Sequence, residues 1–181
     1  MKKVILFVSI SLFSVFAFAQ KKTTTSASIN FDASTALDAL PKAENKTAVA
    51  LLNTKKGNVN FEATIKNFSF TNPVIQDHFN GEKWMNSDKF PTAVFKGNIT
   101  NLSAVDFSKA GSYKAEIAGE LTIKGIAKTV STTGDIVVDA DGGINATAKF
   151  NITLADYGIE GAAITAGKVA ATPSITVAAK F

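Results

Sequence analysis

The chain predicts an all-β fold, an antiparallel barrel or sandwich, and three observations carry that prediction. Apolar and polar residues alternate over several segments, most cleanly in residues 58–65, 113–123 and 144–154. Such alternation marks strands with one face in a core and the other in water. Turns of hairpin length, Thr54-Lys55-Lys56-Gly57 and Asp139-Ala140-Asp141-Gly142-Gly143, separate the segments. The long helical crossovers that a parallel sheet requires are missing. Barrel closure would also remove the exposed sheet edges that invite aggregation.

The first nineteen residues stand outside this pattern. Met1-Lys2-Lys3 is a short positive start, residues 4–16 are an apolar run, and Ala17-Phe18-Ala19 puts small residues at the two positions a signal peptidase reads. The run is shorter than the roughly 20 residues a bilayer core requires. A secretory signal over residues 1–19 is therefore expected, with one domain over residues 20–181 and no integral membrane span once the signal is removed. Export would place the domain in the periplasm or outside the cell.

Composition narrows the chemistry. Cysteine is absent, which removes disulfides, thiolate metal sites and thiol nucleophiles. A single histidine, His78, leaves no histidine metal cluster, and no cofactor is expected. Every basic residue is lysine, so the planar fork that reads phosphate or guanine is missing. Nucleic acid is not an expected partner, even with a formal net charge of +4, part of which lies in the signal.

Taken in order, residues 21–26 read as a polar, frayed lead-in, and residues 28–32 as the first strand. Residues 33–47 read as a helical turn or loop, 47–53 and 58–65 as the second and third strands. Asn72 as cap and Pro73 as first residue predict one short helix near residues 73–81, ending at Gly81. Phe90-Pro91 forces extended backbone, and strands resume at 93–100, 113–123, 128–139, 144–154 and 174–181. About eight strands result. An outer-membrane barrel would need spans of about 9–11 residues and regular aromatic girdles, which the short strands and scattered rings do not supply.

Three blocks carry a resemblance. Gln76-Asp77-His78-Phe79 followed by Trp84-Met85-Asn86-Ser87-Asp88-Lys89-Phe90-Pro91-Thr92-Ala93-Val94-Phe95-Lys96-Gly97 is one. Gly119-Glu120-Leu121-Thr122-Ile123-Lys124-Gly125-Ile126-Ala127-Lys128-Thr129-Val130 is the second, and Phe150-Asn151-Ile152-Thr153-Leu154-Ala155-Asp156-Tyr157-Gly158-Ile159 the third. In order and spacing they resemble the YceI-like family. The resemblance implies a lipocalin-like, eight-stranded antiparallel barrel whose long apolar interior holds a polyisoprenoid or similar amphiphilic chain. Where the family commonly has Arg in the third block, this chain has Leu154. Its opening "D-x-x-H-S-x-V-x-F" is missing as well.

Fourteen phenylalanines against two tyrosines describe rings without polar handles, suited to a dry core or a dry tunnel. Small inward residues, Ala63, Ala115, Gly119, Ala146, Ala148 and Ala179, fill little volume and favour a tunnel. The candidate ligand-binding residues are Phe61, Phe68, Phe70, Ile75, His78, Phe79, Trp84, Phe95, Ile117 and Phe150. The aromatic stretch Phe68, Phe70, Phe79 and Trp84 is the expected mouth. Asp77 and His78 lack the further groups that acid–base catalysis would need, and His78 reads better as a residue fixing the helix to the barrel rim. Asp135, Asp139 and Asp141 lack calcium-loop spacing. The expected function is non-enzymatic binding, sequestration or transport of a long isoprenoid or related lipid. The alternative is an envelope or stress-related interaction protein with a filled barrel, and a homodimer is compatible with either.

Overall fold

The computed structural model describes residues 20–181; the expected signal lies outside the described residues. Nine strands form one antiparallel sheet: β1 (Lys21–Asp32), β2 (Lys42–Asn53), β3 (Asn58–Thr64), β4 (Ser69–Phe70), β5 (Thr92–Ile99), β6 (Gly111–Ile123), β7 (Ile126–Val138), β8 (Ile144–Asn151) and β9 (Ser174–Lys180). Because β1 pairs with both β2 and β9, eight of these strands close into a barrel, and the two-residue β4 adds to β2 outside the circuit. The choice between barrel and sandwich is settled in favour of the barrel. Among the described residues, no helix is long and apolar enough to cross a membrane.

Two expectations near the N-terminus are corrected. Residues 21–26 are part of β1, not a frayed lead-in, and β2 begins at Lys42 inside a stretch read as loop or helical turn. The polar β1 segment is ordered by a distant partner, with Lys21 opposite Asn53 and Thr24 opposite Ala50. In β2 the inward positions are Ala43, Asn45, Ala48, Ala50 and Leu52. Alanine and a buried asparagine give almost no hydropathy signal, and the alternation slips a register between Asn45 and Ala48. Asn45 is fully buried yet satisfied: its amide donates to Thr64 O at 3.0 Å, and its Oδ1 accepts Thr47 N–H at 2.8 Å. Unpaired, such a group would carry the full cost of its desolvation.

Helix α1 (Pro73–Asn80) forms as its sequence directs. Asn72 Oδ1 accepts the Val74 amide at 2.9 Å, Pro73 occupies the first turn, and the Gly81 N–H closes the end on Asp77 O and His78 O. A second, one-turn helix, α2 (Ala162–Thr165), lies in the β8–β9 connection.

Strand polarity sorts the connections. The β1–β2, β3–β5 and β8–β9 links, with α1 and α2, gather at one end of the barrel, together with the tight Lys124-Gly125 turn. The opposite end carries the 54–57 and 139–143 turns and the 100–110 loop. At the helix end, Phe79 of α1 sits among Phe31, Phe68 and Phe70, with ring centroids 6.0, 5.7 and 4.9 Å away. The buried side chains form two clusters, one around these rings and one around Leu52, Val59, Ile99, Ile136 and Ile144 toward the other end.

Candidate functional site

Between the two clusters the barrel is hollow. A cavity of about 160 Å³, counted as room for the centres of water molecules, runs along the interior. One water needs roughly 10–15 Å³ on that measure, so the void is much larger than a packing defect. It is lined by Leu52, Val59 and Ile136 of one cluster and Ile65, Phe79 and Leu154 of the other. Its lining side chains are apolar apart from Thr132, Thr147 and Asp135, and the Asp135 carboxylate is turned to Lys114. Phe61, Phe95, Ile117 and Phe150 point inward but are only half-buried, because the space they face is empty.

The predicted residues divide clearly. Phe61, Phe68, Phe79, Trp84, Phe95, Ile117 and Phe150 line the cavity; Phe70, Ile75 and His78 do not. Phe70 is buried against Phe79, Ile75 packs on the same cluster from outside, and the His78 side chain is exposed. The helix is tied to the barrel by the Phe79 ring and by Gln76, whose Oε1 accepts Phe70 N–H at 3.2 Å. In the stretch expected as a mouth, Phe68, Phe70 and Phe79 are buried against one another, while Trp84 is half-buried on the cavity wall.

The small residues do not all act alike. Ala63, Ala146 and Ala148 face the void, whereas Ala115, Gly119 and Ala179 are not among its lining. Gly119 lies opposite Gly97, and the Phe95 ring crosses both, so a Cβ on Gly97 would come within 2.5 Å of Phe95 Cζ. This glycine pair seats a lining aromatic. Sequence reasoning missed Gly134 on β7 and Leu154 and Ile159 in the β8–β9 connection. The last two lie in or beside a 3₁₀ turn that breaks the period of two.

Leu154 stands where the family pattern commonly has Arg, and it is 2% exposed on the cavity wall. No cation is supplied to the interior there. The acidic 139–143 turn is engaged internally: Asp139 accepts from Asn145 at 2.8 Å and Asp141 from Gly143 N–H at 3.0 Å. Asp135 pairs outside the barrel with Lys114 at 2.6 Å. Among the described residues, no group of three or more potential metal ligands occurs.

Beside Leu154, Tyr157 is 2% exposed, and burial, with a lesser contribution from Asp156, pushes its phenol above the ordinary value of 10.0. A raised folded-state pKa means that the unfolded chain loses this proton first. The associated stability is full below the ordinary phenol range and falls as pH climbs toward the raised value. Urea unfolding between about pH 9 and 11 is expected to show a falling midpoint whose slope is reduced in Tyr157→Phe; identical slopes in the two proteins would exclude Tyr157 as its source.

A closed antiparallel barrel around an apolar void defines a class, the calyx-type β-barrels with an interior of ligand size. This chain belongs to the YceI-like family: the model of the YceI-like domain matches residues 12–181. No curated protein matches it in sequence. Among solved structures it is similar to a polyisoprenoid binding domain from Saccharophagus degradans implicated in plant cell wall breakdown. That match has a TM-score of 0.72 at 11% identity and covers 88% of this chain and 95% of that one. It is also similar to Burkholderia cenocepacia BcnA, with a TM-score of 0.68 at 17% identity over 84% and 96% of the two chains. The Campylobacter jejuni YCEI protein matches with a TM-score of 0.54 at 16% identity over 100% and 99%. At these identities the likeness concerns the fold.

Proposed function

We propose that this protein is a non-enzymatic carrier that sequesters or transports a long apolar chain, a polyisoprenoid or related lipid, inside its barrel. Its place of work would be the periplasm or the exterior, after removal of residues 1–19. The observation that carries this reading is the continuous apolar void between two packed clusters. The polyisoprenoid binding ascribed to the Saccharophagus domain is in keeping with it.

Affinity in such a site comes from apolar area leaving water, roughly 25 cal/mol per Å² before the costs of association. With no arginine in the chain and Leu154 on the wall, the interior offers no charged anchor, and the polar end of the ligand stays at solvent. Trp84, the sole tryptophan, lines the cavity and reports on its occupation. Titration with linear isoprenoid alcohols of increasing length is expected to quench or shift Trp84 emission, with binding tightening until the cavity is full. Removing a phosphate from the ligand changes affinity less than removing two isoprene units. A strict phosphate requirement with indifference to length would overturn the apolar-chain mechanism, and silence toward every lipid would favour the filled-barrel reading.

A further inference from the structure

The barrel wall is not hydrogen-bonded along its whole length, and four ladders stop short of the strands they join. Between β5 and β6, pairing ends at Ile99 and Ile117. Thr100 N–H then donates to Glu116 O at 2.8 Å, Asn101 Nδ2 to Lys114 O at 3.0 Å, and Glu116 N–H to Asn101 Oδ1 at 2.8 Å. Between β2 and β3, pairing ends at Val49 and Glu62, and buried Asn45 bridges to Thr64 O while β4 covers Ala43 and Glu44. In these two places polar groups imitate the missing ladder, and between β1 and β9, where pairing ends at Ser28 and Ala178, none of residues 21–27 lines the cavity.

The fourth gap is different. Pairing of β7 with β8 ends at Gly134 and Ala148, although β7 runs back to Ile126 and stays paired with β6 throughout. Residues 126–133 therefore face residues 149–159 without a backbone ladder. Thr132 Oγ1 donates to Lys149 O at 3.0 Å, and Lys124 Nζ to Gly158 O at 3.2 Å, both at exposed positions. The seam borders the cavity, with Val130 and Thr132 lining it from one side and Phe150, Ile152 and Leu154 from the other.

Neither end of the barrel offers as easy a route. The helix end is filled by Phe31, Phe68, Phe70 and Phe79, and the far end by the second buried cluster. Parting any fully laddered pair of strands would strand buried amides and carbonyls, whereas parting this seam breaks two side-chain bonds that water can replace. We propose that the seam between β7 and β8 is the passage through which a chain enters and leaves the cavity, with the Thr132–Lys149 bond as its latch. The proposal rests on the chain-binding reading above.

The absence of cysteine makes the test clean. Thr133 and Lys149 are exposed, outward-facing and opposite each other in the register continued from Gly134 and Ala148. A Thr133→Cys, Lys149→Cys protein is oxidised to lock the seam. A Glu116→Cys, Thr133→Cys protein locks the intact β6–β7 ladder as control. The rate at which a prebound long linear isoprenoid alcohol leaves for excess phosphatidylcholine vesicles is followed by Trp84 emission. The seam lock is expected to slow release by about tenfold or more, reversibly on reduction, while the control lock leaves it unchanged. Thr132→Val, which needs no disulfide, is expected to speed release by about threefold. Release unaffected by both the seam lock and Thr132→Val, in protein that binds the alcohol, would overturn the passage alone. Failure of wild-type protein to bind the alcohol would overturn the chain-binding reading and the passage with it.

Discussion

Phe79→Ala is expected to destabilise the fold by about 3–5 kcal/mol, the range for removing a buried aromatic ring. The ring is 7% exposed and touches three other phenylalanines, from β1, β4 and the segment between β3 and β4. Its loss releases the helix from the end of the barrel and opens the cavity there, so collapse around the deletion is limited. On the same helix, Val74 is 58% exposed and the His78 side chain lies in solvent. Alanine at either position should cost no more than about half a kcal/mol. Urea midpoints at constant m-value measure the contrast, and a Phe79→Ala cost below about 1 kcal/mol would mean that the helix does not cap the barrel.

Ala148→Phe is expected to abolish most binding while leaving the fold nearly untouched. Ala148 sits on β8 against Gly134, half-buried because it faces the void. A ring placed there enters existing space, avoiding the 1–3 kcal/mol or so that overpacking a filled core costs. It displaces about three methylenes of ligand at about 0.8 kcal/mol each, or about fiftyfold in affinity. Titration of the variant with a long isoprenoid alcohol, alongside its thermal midpoint, checks both halves. Intact binding would show that the chain lies elsewhere; a sharp loss of stability would show that the barrel has no void at Ala148.

Much of this architecture was legible because it rests on strict alternation. Residues 58–65, 113–123 and 144–151 place apolar side chains every second position, and the helix carries its own start and stop in Asn72, Pro73 and Gly81. What escaped was order imposed from a distance. The polar start of β1 is a strand only because β2 pairs with it, and β2 itself hides its inward face in alanines and Asn45. The site divides along the same line. Inward rings on regular strands, Phe61, Phe95 and Phe150, reach the cavity. Of the rings in the irregular segment, Phe68, Phe79 and Trp84 also line it, yet Phe68 and Phe70 pack on Phe79 because apolar side chains at a barrel end bury themselves wherever a helix lets them. The cavity-facing Leu154 and Ile159, in or next to a 3₁₀ turn, follow no strand period.

The central claim is that the hollow between the two clusters holds a long apolar chain, and native mass spectrometry of the purified protein tests it most directly. A non-covalent adduct in the mass range of a long isoprenoid or acyl lipid is expected on the wild-type protein, removed by organic extraction and missing from Ala148→Phe. A bare wild-type mass that stays bare after incubation with such lipids would contradict the claim.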